Sequence, residues 1–266
     1  MIIDAHTHIF PDHQAAAALQ ATARMFKVPT FGTATAKDLL ERMDRCGISY
    51  AVIHMVAPVP SMVQGTNTWL MNLGEDRFIK FGTLHPQFSG NADEIKRLRD
   101  AGIAGVKLQP DVQQFFPDDR AIMYPVYEAL CRNDMTVMFH IGGEPLPSPE
   151  NRSRPAMIAR IARDFPELRI IGAHLGGLNM WQDVYKLLAG LPNLWFETSL
   201  SYTYIQPHLA QQIIEKHGAD RIFFGTDYPF APIESSLAAA RAVNFLTEPQ
   251  KQAILGQNAY RYFFAD

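Results

Sequence analysis

Two histidines separated by one residue stand near the start of the chain, in the stretch Asp4-Ala5-His6-Thr7-His8. Side chains at positions i and i+2 of a β-strand lie on one face, so both imidazoles can approach the same point. A neutral imidazole binds a divalent cation at about 2.0–2.1 Å. The spacing therefore indicates half of a metal site. The alternative is a pair of polar residues in a solvated N-terminal arm.

Candidate partners for these histidines lie far away in the sequence. His140 would add a third nitrogen and Asp227 a carboxylate oxygen, leaving room for water. Such a set suits Zn²⁺ and also tolerates Mn²⁺, Fe²⁺ or Co²⁺. The alternative for Asp227 is a turn residue before Tyr-Pro. The alternative for His140, and for His174 in the stretch GAHLGG, is a hydrogen-bonded histidine at the end of a strand.

The elements that must position these residues are visible as alternating patterns. Short apolar runs predict eight strands: Ile2–Asp4, Tyr50–Val56, Arg77–Leu84, Ala101–Leu108, Met135–His140, Leu168–His174, Asn193–Thr198 and Arg221–Asp227. Amphipathic stretches between them predict helices, among them Ala36–Cys46, Ala92–Asp100, Arg120–Asn133, Arg154–Phe165, Met180–Ala189 and Gln206–His217. Apolar strands that alternate with helices predict a parallel sheet covered by helices.

Eight such units predict an α/β fold of the (β/α)8 barrel type, with residues 1–266 forming one domain. A doubly wound open sheet is the alternative, but no Gly-x-Gly-x-x-Gly turn follows the first strand. Long loops are expected at Phe10–Thr35 and Ala57–Thr68, and a closing helix at 248–264. Barrel enzymes carry their chemistry at the carboxyl ends of the strands, where these polar residues fall.

The motifs taken together resemble those of the amidohydrolase superfamily, in the branch that includes aminocarboxymuconate-semialdehyde decarboxylase. The matching segments are DAHTH (4–8), GVKLQP (105–110), FHIGG (139–143), GAHLGG (172–177), GTDYP (225–229) and LGQNAYRYF (255–263). The resemblance implies a distorted (β/α)8 barrel with metal ligands at His6, His8, His140 and Asp227. It also implies that His174 is an active-site acid or base, and that Asp227 accepts a proton while it touches the metal.

Lys107, near the end of the fourth strand, has several readings. In binuclear members of the superfamily, a carboxylated lysine at this position bridges two ions, and His174 would then be a ligand too. The branch resembled here mostly uses one metal. Lys107 could instead bind a substrate carboxylate or form a salt bridge. The expected cofactor is thus one divalent ion, with Zn²⁺ preferred to Mn²⁺.

Weaker candidates for substrate contacts are His54, Trp69, Arg152 and Glu197. An arginine such as Arg152 could clamp a carboxylate with two hydrogen bonds. Glu197 and Ser199 could touch the substrate or support the ligands from behind. Met62 and His13 could lie over the pocket, Glu144 and Arg154 are expected at the surface, and His208 and His217 are expected to be solvated helix residues.

Composition limits the classes of partner. The net charge is −3 and the sequence pI is about 6.3, which favours neither nucleic acid nor an anionic membrane. The two cysteines, Cys46 and Cys131, lack metal-ligand spacing and predict no disulfide. No run approaches the roughly 18–20 apolar residues of a membrane span, so a cytoplasmic protein with a small-molecule substrate is expected. Dimers are common among the enzymes it resembles, which leaves a homodimer open.

The main functional hypothesis is a metal-dependent hydrolase in which an activated water attacks a small carboxylate, amide or lactone. The same residues would also serve a non-oxidative decarboxylase or hydratase acting on an unsaturated or aromatic acid. A metal-binding barrel without catalysis and, more remotely, a nucleotide-dependent dehydrogenase are the alternatives from other classes. The residue types do not distinguish hydrolysis from decarboxylation.

Overall fold

The computed structural model describes residues 1–143 and 150–265. Eight strands form one parallel sheet in sequence order. They are β1 (Ile3–His8), β2 (Tyr50–His54), β3 (Phe78–Thr83), β4 (Gly105–Leu108), β5 (Thr136–Phe139), β6 (Ile170–Gly172), β7 (Leu194–Glu197) and β8 (Ile222–Phe223). Consecutive strands are neighbours throughout, which is the order of a (β/α)8 barrel, as the sequence predicted.

Helices follow the strands, and most of them cover the outside of the sheet. They are α1 (Asp12–Phe26), α2 (Ala36–Cys46), α3 (Val63–Met71), α4 (Asn91–Asp100), α5 (Pro110–Gln113), α6 (Tyr124–Arg132), α7 (Pro155–Asp164), α8 (Trp181–Leu187), α9 (Ser201–Tyr204), α10 (Pro207–His217), α11 (Ile233–Ala242), α12 (Glu248–Gln252) and α13 (Asn258–Phe264). A 3₁₀ turn spans Pro60–Met62, a second spans Ala219–Arg221, and a π-helix spans Ala253–Gln257.

Backbone hydrogen bonds between β1 and the chain after β8 close the barrel. Ala5 donates to the carbonyl of Phe224 at 2.7 Å, and Asp227 donates to the carbonyl of His6 at 2.8 Å. Thr7 and Tyr228 form a parallel bridge at the same seam. The first strand and the segment after the last strand are thereby joined, which places His6 beside Asp227.

A β-bulge in β1 changes which residues face the barrel interior. The pairing with β2 shifts register between Asp4 and Thr7. Ile3 and Ala5 pack in the interior apolar cluster, so regular alternation would turn His6 outward. The bulge adds one residue on this strand and reverses the alternation. Both His6 and His8 therefore point into the barrel mouth.

Apolar side chains fill the barrel below the histidines. The interior cluster includes Val52, Phe81, Met138 and Phe223, and Phe263 from α13 packs against it from the closed end. A Cβ on Gly105 would lie 2.6 Å from the Phe81 ring and 2.6 Å from the carbonyl of Thr136, so this position accepts only glycine without rearrangement. A larger apolar cluster packs the helices onto the outside of the sheet.

The predicted long loops differ from the observed structure. The segment Phe10–Thr35 contains the 15-residue helix α1, and Ala57–Thr68 contains the 3₁₀ turn and most of α3. The burial pattern explains the error at α1, where only Ala15 and Leu19 are buried. A helix with so few buried positions lacks the apolar period that reveals helices in a sequence. Within the described ranges, no helix is long and apolar enough to cross a membrane.

Candidate metal centre and active site

A cavity of about 660 Å³ opens at the carboxyl ends of the strands. Its floor contains the six polar residues that the sequence placed at strand ends: His6, His8, Lys107, His140, His174 and Asp227. They come from or directly after β1, β4, β5, β6 and β8. The fold therefore brings together side chains that are separated by more than 200 residues.

Three donor atoms form a small triangle in this floor. His6 Nε2 lies 3.1 Å from His8 Nε2 and 3.3 Å from Asp227 Oδ1, and His8 Nε2 lies 3.2 Å from the same oxygen. Ligands held tetrahedrally at about 2.0–2.1 Å from one ion lie about 3.3 Å apart. Two imidazoles and a carboxylate at these distances fit a divalent cation.

His140 and His174 extend the floor as a hydrogen-bonded pair. His140 Nδ1 lies 3.0 Å from His174 Nε2, and the two rings meet edge to face at 4.8 Å between centroids. Since Nδ1 of His140 is used in this contact, Nε2 is the atom that it would offer to a cation. The predicted ligand His140 and the predicted acid or base His174 are thus directly linked.

Glu197 lies behind His6. Its carboxylate accepts hydrogen bonds from His6 Nδ1 at 2.8 Å, from Ser199 Oγ at 2.8 Å and from the backbone nitrogens of His174 and Ser199. The residue is fully buried. A Cβ on Gly225 would lie 2.2 Å from Glu197 Oε2, so glycine at 225 makes room for this carboxylate. Glu197 therefore supports the histidines from behind, which is one of its two predicted roles.

The protonation of the histidines follows from this network. The Ser199 hydroxyl donates to Glu197, so it must accept from His174 Nδ1 at 2.9 Å. A neutral His174 then accepts at Nε2, which makes His140 Nδ1 the donor. His6 likewise donates from Nδ1 to Glu197. In both His6 and His140, the network leaves Nε2 unprotonated, as metal binding requires.

Burial keeps these imidazoles neutral. Desolvation, together with the charge of Lys107, lowers the pKa of His6 well below its ordinary value and that of His140 to about 3. Desolvation and the neighbouring His140 lower the pKa of His174 to about 4. Burial raises the pKa of Glu197. Burial acts to raise the pKa of Asp227, whereas protonation of the adjacent histidines would lower it.

The backbone is unusual at two of these residues. His174 has φ 60° and Asp227 has φ 70°, in the left-handed region that residues other than glycine seldom adopt. Such conformations persist where the surrounding structure fixes them, and they cluster at functional sites. At Asp227, the hydrogen bond from its backbone nitrogen to the His6 carbonyl holds this conformation.

The weaker candidates lie in different places. Trp69 lines the cavity, as do Met62 and His13. Arg152 pairs with Glu150 at 2.7 Å and lies 3.9 Å from Asp111, so its guanidinium is directed to carboxylates of the protein. Glu144 lies outside the described residues.

His54 is fully buried beneath the centre rather than in the cavity wall. Its ring lies 4.8 Å from that of His6 and 5.5 Å from that of Phe81, measured between centroids. Neither of its ring nitrogens has a hydrogen-bond partner within residues 1–143 and 150–265. Burial lowers the pKa of His54 well below its ordinary value. Ligand-type atoms of His6, His8 and His54 lie within 4.8 Å of one another.

The prediction for His217 is wrong, because this side chain is only 1 % exposed and stacks on Phe196 at 4.0 Å between ring centroids. His208 is exposed, as expected. The sequence reasoning also missed Asp4, which is buried and accepts hydrogen bonds from Thr226 Oγ1 at 2.6 Å and from the nitrogen of Thr226 at 3.0 Å. Its position two residues before His6 in a strand was the available signal.

The amidohydrolase family model matches residues 3–265, which is nearly the whole chain. The chain belongs to the amidohydrolase family. An amidohydrolase of this kind is a metal-dependent enzyme, and the donor triangle fits that assignment. No curated protein matches the chain in sequence.

Solved structures of similar fold include two decarboxylases. The 5-carboxyvanillate decarboxylase of Sphingomonas paucimobilis is 16 % identical, with 98 % of each chain covered and a TM-score of 0.73. A dihydroxybenzoic acid decarboxylase of Polaromonas sp., solved with manganese and the inhibitor 2-nitroresorcinol, is 18 % identical, with 98 % of this amidohydrolase and 96 % of the other chain covered and a TM-score of 0.72. An uncharacterised TIM-barrel protein of Bordetella bronchiseptica is 21 % identical, with coverages of 98 % and 97 % and a TM-score of 0.75.

Proposed function

We propose that this amidohydrolase is a metal-dependent, non-oxidative decarboxylase of an aromatic or unsaturated carboxylic acid. The proposal rests above all on the triangle of His6, His8 and Asp227 in the cavity floor, whose distances fit one divalent ion. The reaction type is supported by the decarboxylases of similar fold. Hydrolysis was the first hypothesis from the sequence, and these neighbours favour its decarboxylase alternative.

His6, His8, His140 and Asp227 would hold the cation, with their unprotonated atoms directed to it. The donor set accepts either Mn²⁺ or Zn²⁺, and the Polaromonas decarboxylase contains manganese. When bound, the cation would supply the positive charge that orients a carboxylate and an adjacent hydroxyl and lowers the pKa of that hydroxyl. Lys107 would add a second positive charge in the same floor.

Asp227 would transfer the proton in this reaction. Its carboxylate lies in the floor within 3.3 Å of the His6 and His8 ring nitrogens, where it would accept a proton from the substrate hydroxyl. Returned to the carbon that carries the carboxylate, this proton forms a C–H bond. The C–C bond then breaks, its electron pair restores the conjugated system, and the carboxylate leaves as CO₂. The product is the phenolate or enolate, which solvent protonates.

His174 would position this centre, since one ring nitrogen bonds to His140 and the other to Ser199. Replacing His174 by Asn should abolish turnover and weaken metal binding about tenfold, while the protein still takes up one ion per chain at saturating metal. Failure to take up the ion even at saturating metal would instead make His174 a ligand. Saturation at two ions per chain in the unaltered protein would favour Lys107 as a bridge.

The direct test combines elemental analysis of the purified protein with a substrate screen. Protein loaded with Mn²⁺ or Zn²⁺ is incubated with hydroxybenzoic acids and unsaturated acids, and CO₂ release is measured. A parallel set of lactones and amides is tested for acid release. Metal-dependent CO₂ release is the expected result, whereas turnover of the second set alone would return the assignment to a hydrolase. A protein that binds metal but turns over neither set would be the non-catalytic alternative.

A further inference from the structure

The wall of the cavity differs sharply from its polar floor. Above the histidines, the cavity is enclosed by α1 on one side and by residues 55–69 on the other. The wall is formed chiefly by apolar side chains such as Phe10, Phe26, Met55 and Phe230. The charged side chains of the lining, Lys107 and Asp227, thus lie at one end of the cavity.

Helix α1 turns one face to this cavity. Among its lining residues, Gln14, Ala18, Thr22 and Met25 recur at intervals of three and four, which is one side of an α-helix. Three of these four positions carry small or apolar side chains that leave space in front of the helix. The face is therefore a surface for a ligand rather than a packed contact with the barrel.

Two methionines at the rim are unusually exposed for residues that line a cavity. Met25 on α1 is 61 % exposed and Met62 in the 3₁₀ turn is 44 % exposed. Methionine is flexible and adapts to apolar ligands of irregular shape. An apolar group that reached the rim would cover both side chains and remove their surface from water.

Positive charge in the described lining is limited to one side chain. Lys107 is its only lysine or arginine, and it lies in the floor at 2 % exposure. Arg152, the nearest candidate for a second carboxylate clamp in the sequence, pairs with Glu150 instead. A second carboxylate on the substrate would face the apolar wall without a countercharge, and burying an unpaired charge is costly.

The volume of the cavity also favours an extended apolar substrate. Cavities of about 300–1,000 Å³ typically enclose drug-sized ligands, and this one measures about 660 Å³. An acid with a single small ring would occupy the floor and leave the wall of α1 uncovered. A longer apolar substituent on the acid would fill the remaining space.

We infer that the substrate is a monocarboxylic acid whose carboxylate lies in the polar floor and whose other end carries an extended apolar group packed between α1 and Met62. This inference rests on the proposed function for the orientation of the acid. It specifies a substrate class, namely aryl- or alkyl-extended acids, and sets aside dicarboxylates. Ala18 and Met25 are the residues that determine this preference.

The test measures binding of unreactive acids to the metal-loaded protein by calorimetry. The probes are benzoate, biphenyl-4-carboxylate and isophthalate, none of which carries the hydroxyl that the proposed reaction uses. Biphenyl-4-carboxylate should bind roughly tenfold more tightly than benzoate, because its second ring buries additional apolar surface. Isophthalate should bind no more tightly than benzoate.

Variants on α1 test whether this helix contacts the second ring of biphenyl-4-carboxylate. Ala18→Trp should reduce the affinity for biphenyl-4-carboxylate about tenfold and change that for benzoate less than about twofold. Ala17→Trp is the matched control, since Ala17 is exposed and does not line the cavity. Met25→Glu, at an exposed position that should tolerate the change, gives a second measurement, with Gln20→Glu as its control.

Equal affinity for benzoate and biphenyl-4-carboxylate, tightest binding of isophthalate, or no binding of any probe would overturn the inference. So would a preference for the biphenyl acid that persists in both Ala18→Trp and Met25→Glu. Because the probes are not turned over, these results are independent of the CO₂ screen. A protein that lacks decarboxylase activity could still show the preference, and an active decarboxylase could lack it.

Discussion

The identity of the protonated nitrogen in each histidine decides whether the floor of the cavity can bind a cation. Glu197 determines which ring nitrogen is protonated in His6 by a direct hydrogen bond, and in His140 through Ser199 and His174. A single buried carboxylate thereby orients two proposed ligands, one within β1 and one after β5. Partners behind metal ligands commonly change metal affinity by about 10–100-fold when they are replaced.

Replacement of Asp227 by Asn should lower the affinity for Mn²⁺ or Zn²⁺ at least about 100-fold, because the triangle loses its only negative charge. The dissociation constant is measured by competition with a chelator of known affinity. His208→Ala, at an exposed position, should keep the original affinity. An Asp227→Asn protein that binds metal as tightly as the original would rule out Asp227 as a ligand.

Replacement of Glu197 by Gln should weaken metal binding by about 10–100-fold, since the amide group places a donor opposite the backbone nitrogen of Ser199. Ser199→Ala should weaken binding less, about tenfold, because it breaks the path to His174 and leaves the bond between His6 and Glu197 in place. The same chelator competition measures both, with Ser235→Ala at an exposed position as control. Unchanged affinity in Glu197→Gln would refute its orienting role.

At the scale of secondary-structure elements, the seam between β1 and the segment after β8 holds the site together. Asp4 crosses this seam to Thr226, and backbone bonds join His6 to Asp227 and His8 to Tyr228. Burial raises the pKa of Asp4 to about 7, against the lowering effect of its hydrogen bonds with Thr226 and His6. The bulge in β1 and the closure of the barrel therefore occur at the same place as the proposed ligands.

Thr226→Val should lower the free energy of unfolding by about 1–3 kcal/mol, because it removes the hydroxyl donor to the buried carboxyl of Asp4 and keeps the side-chain shape. Urea denaturation of the metal-free protein measures this change. Thr203→Val, at an exposed position on α9, should stay within about 0.5 kcal/mol of the original protein. A Thr226→Val protein as stable as this control would show that the side-chain bond across the seam adds nothing to stability.

At the scale of the whole molecule, buried neutral histidines tie stability to pH. Burial lowers the pKa of His6, His54, His140, His174 and His217 in the folded protein. The unfolded chain binds protons at these residues below about pH 6.5, whereas the folded protein does not. The contribution of these histidines to the stability of the metal-free protein is therefore complete above this pH and is lost progressively as the pH falls.

His217 allows this effect to be tested away from the proposed metal centre. Burial lowers its pKa to about 3, so between about pH 6 and pH 4 it should contribute up to about 1.4 kcal/mol per pH unit to the slope of stability. His217→Gln should reduce the slope by that amount and keep an acceptor for the nitrogen of Gly190. Urea denaturation of metal-free protein at several pH values gives the slope, and His208→Gln is the control. An unchanged slope in His217→Gln would contradict a neutral His217 in the folded protein.

Much of the architecture was predictable because apolar strands and amphipathic helices have clear periods. The eight strands and the helix Ala36–Cys46 appear where the sequence placed them, within a few residues. Helix α1 was not predictable, because its inner face borders the cavity and carries few buried residues. Apolar residues recur at the helical period where a helix packs against a hydrophobic core, and α1 has little such contact.

The sequence by itself determined the residue types at the ends of the strands, and through them the family and the proposed ligands His6, His8, His140 and Asp227. Only the tertiary structure decided that the bulge in β1 turns His6 inward, that Glu197 supports it, and that His217 is buried. Alternation along a strand assigns residues to two faces but cannot say which face is interior once a residue is inserted. Contacts across the barrel seam depend on closure of the chain, and no local pattern encodes them.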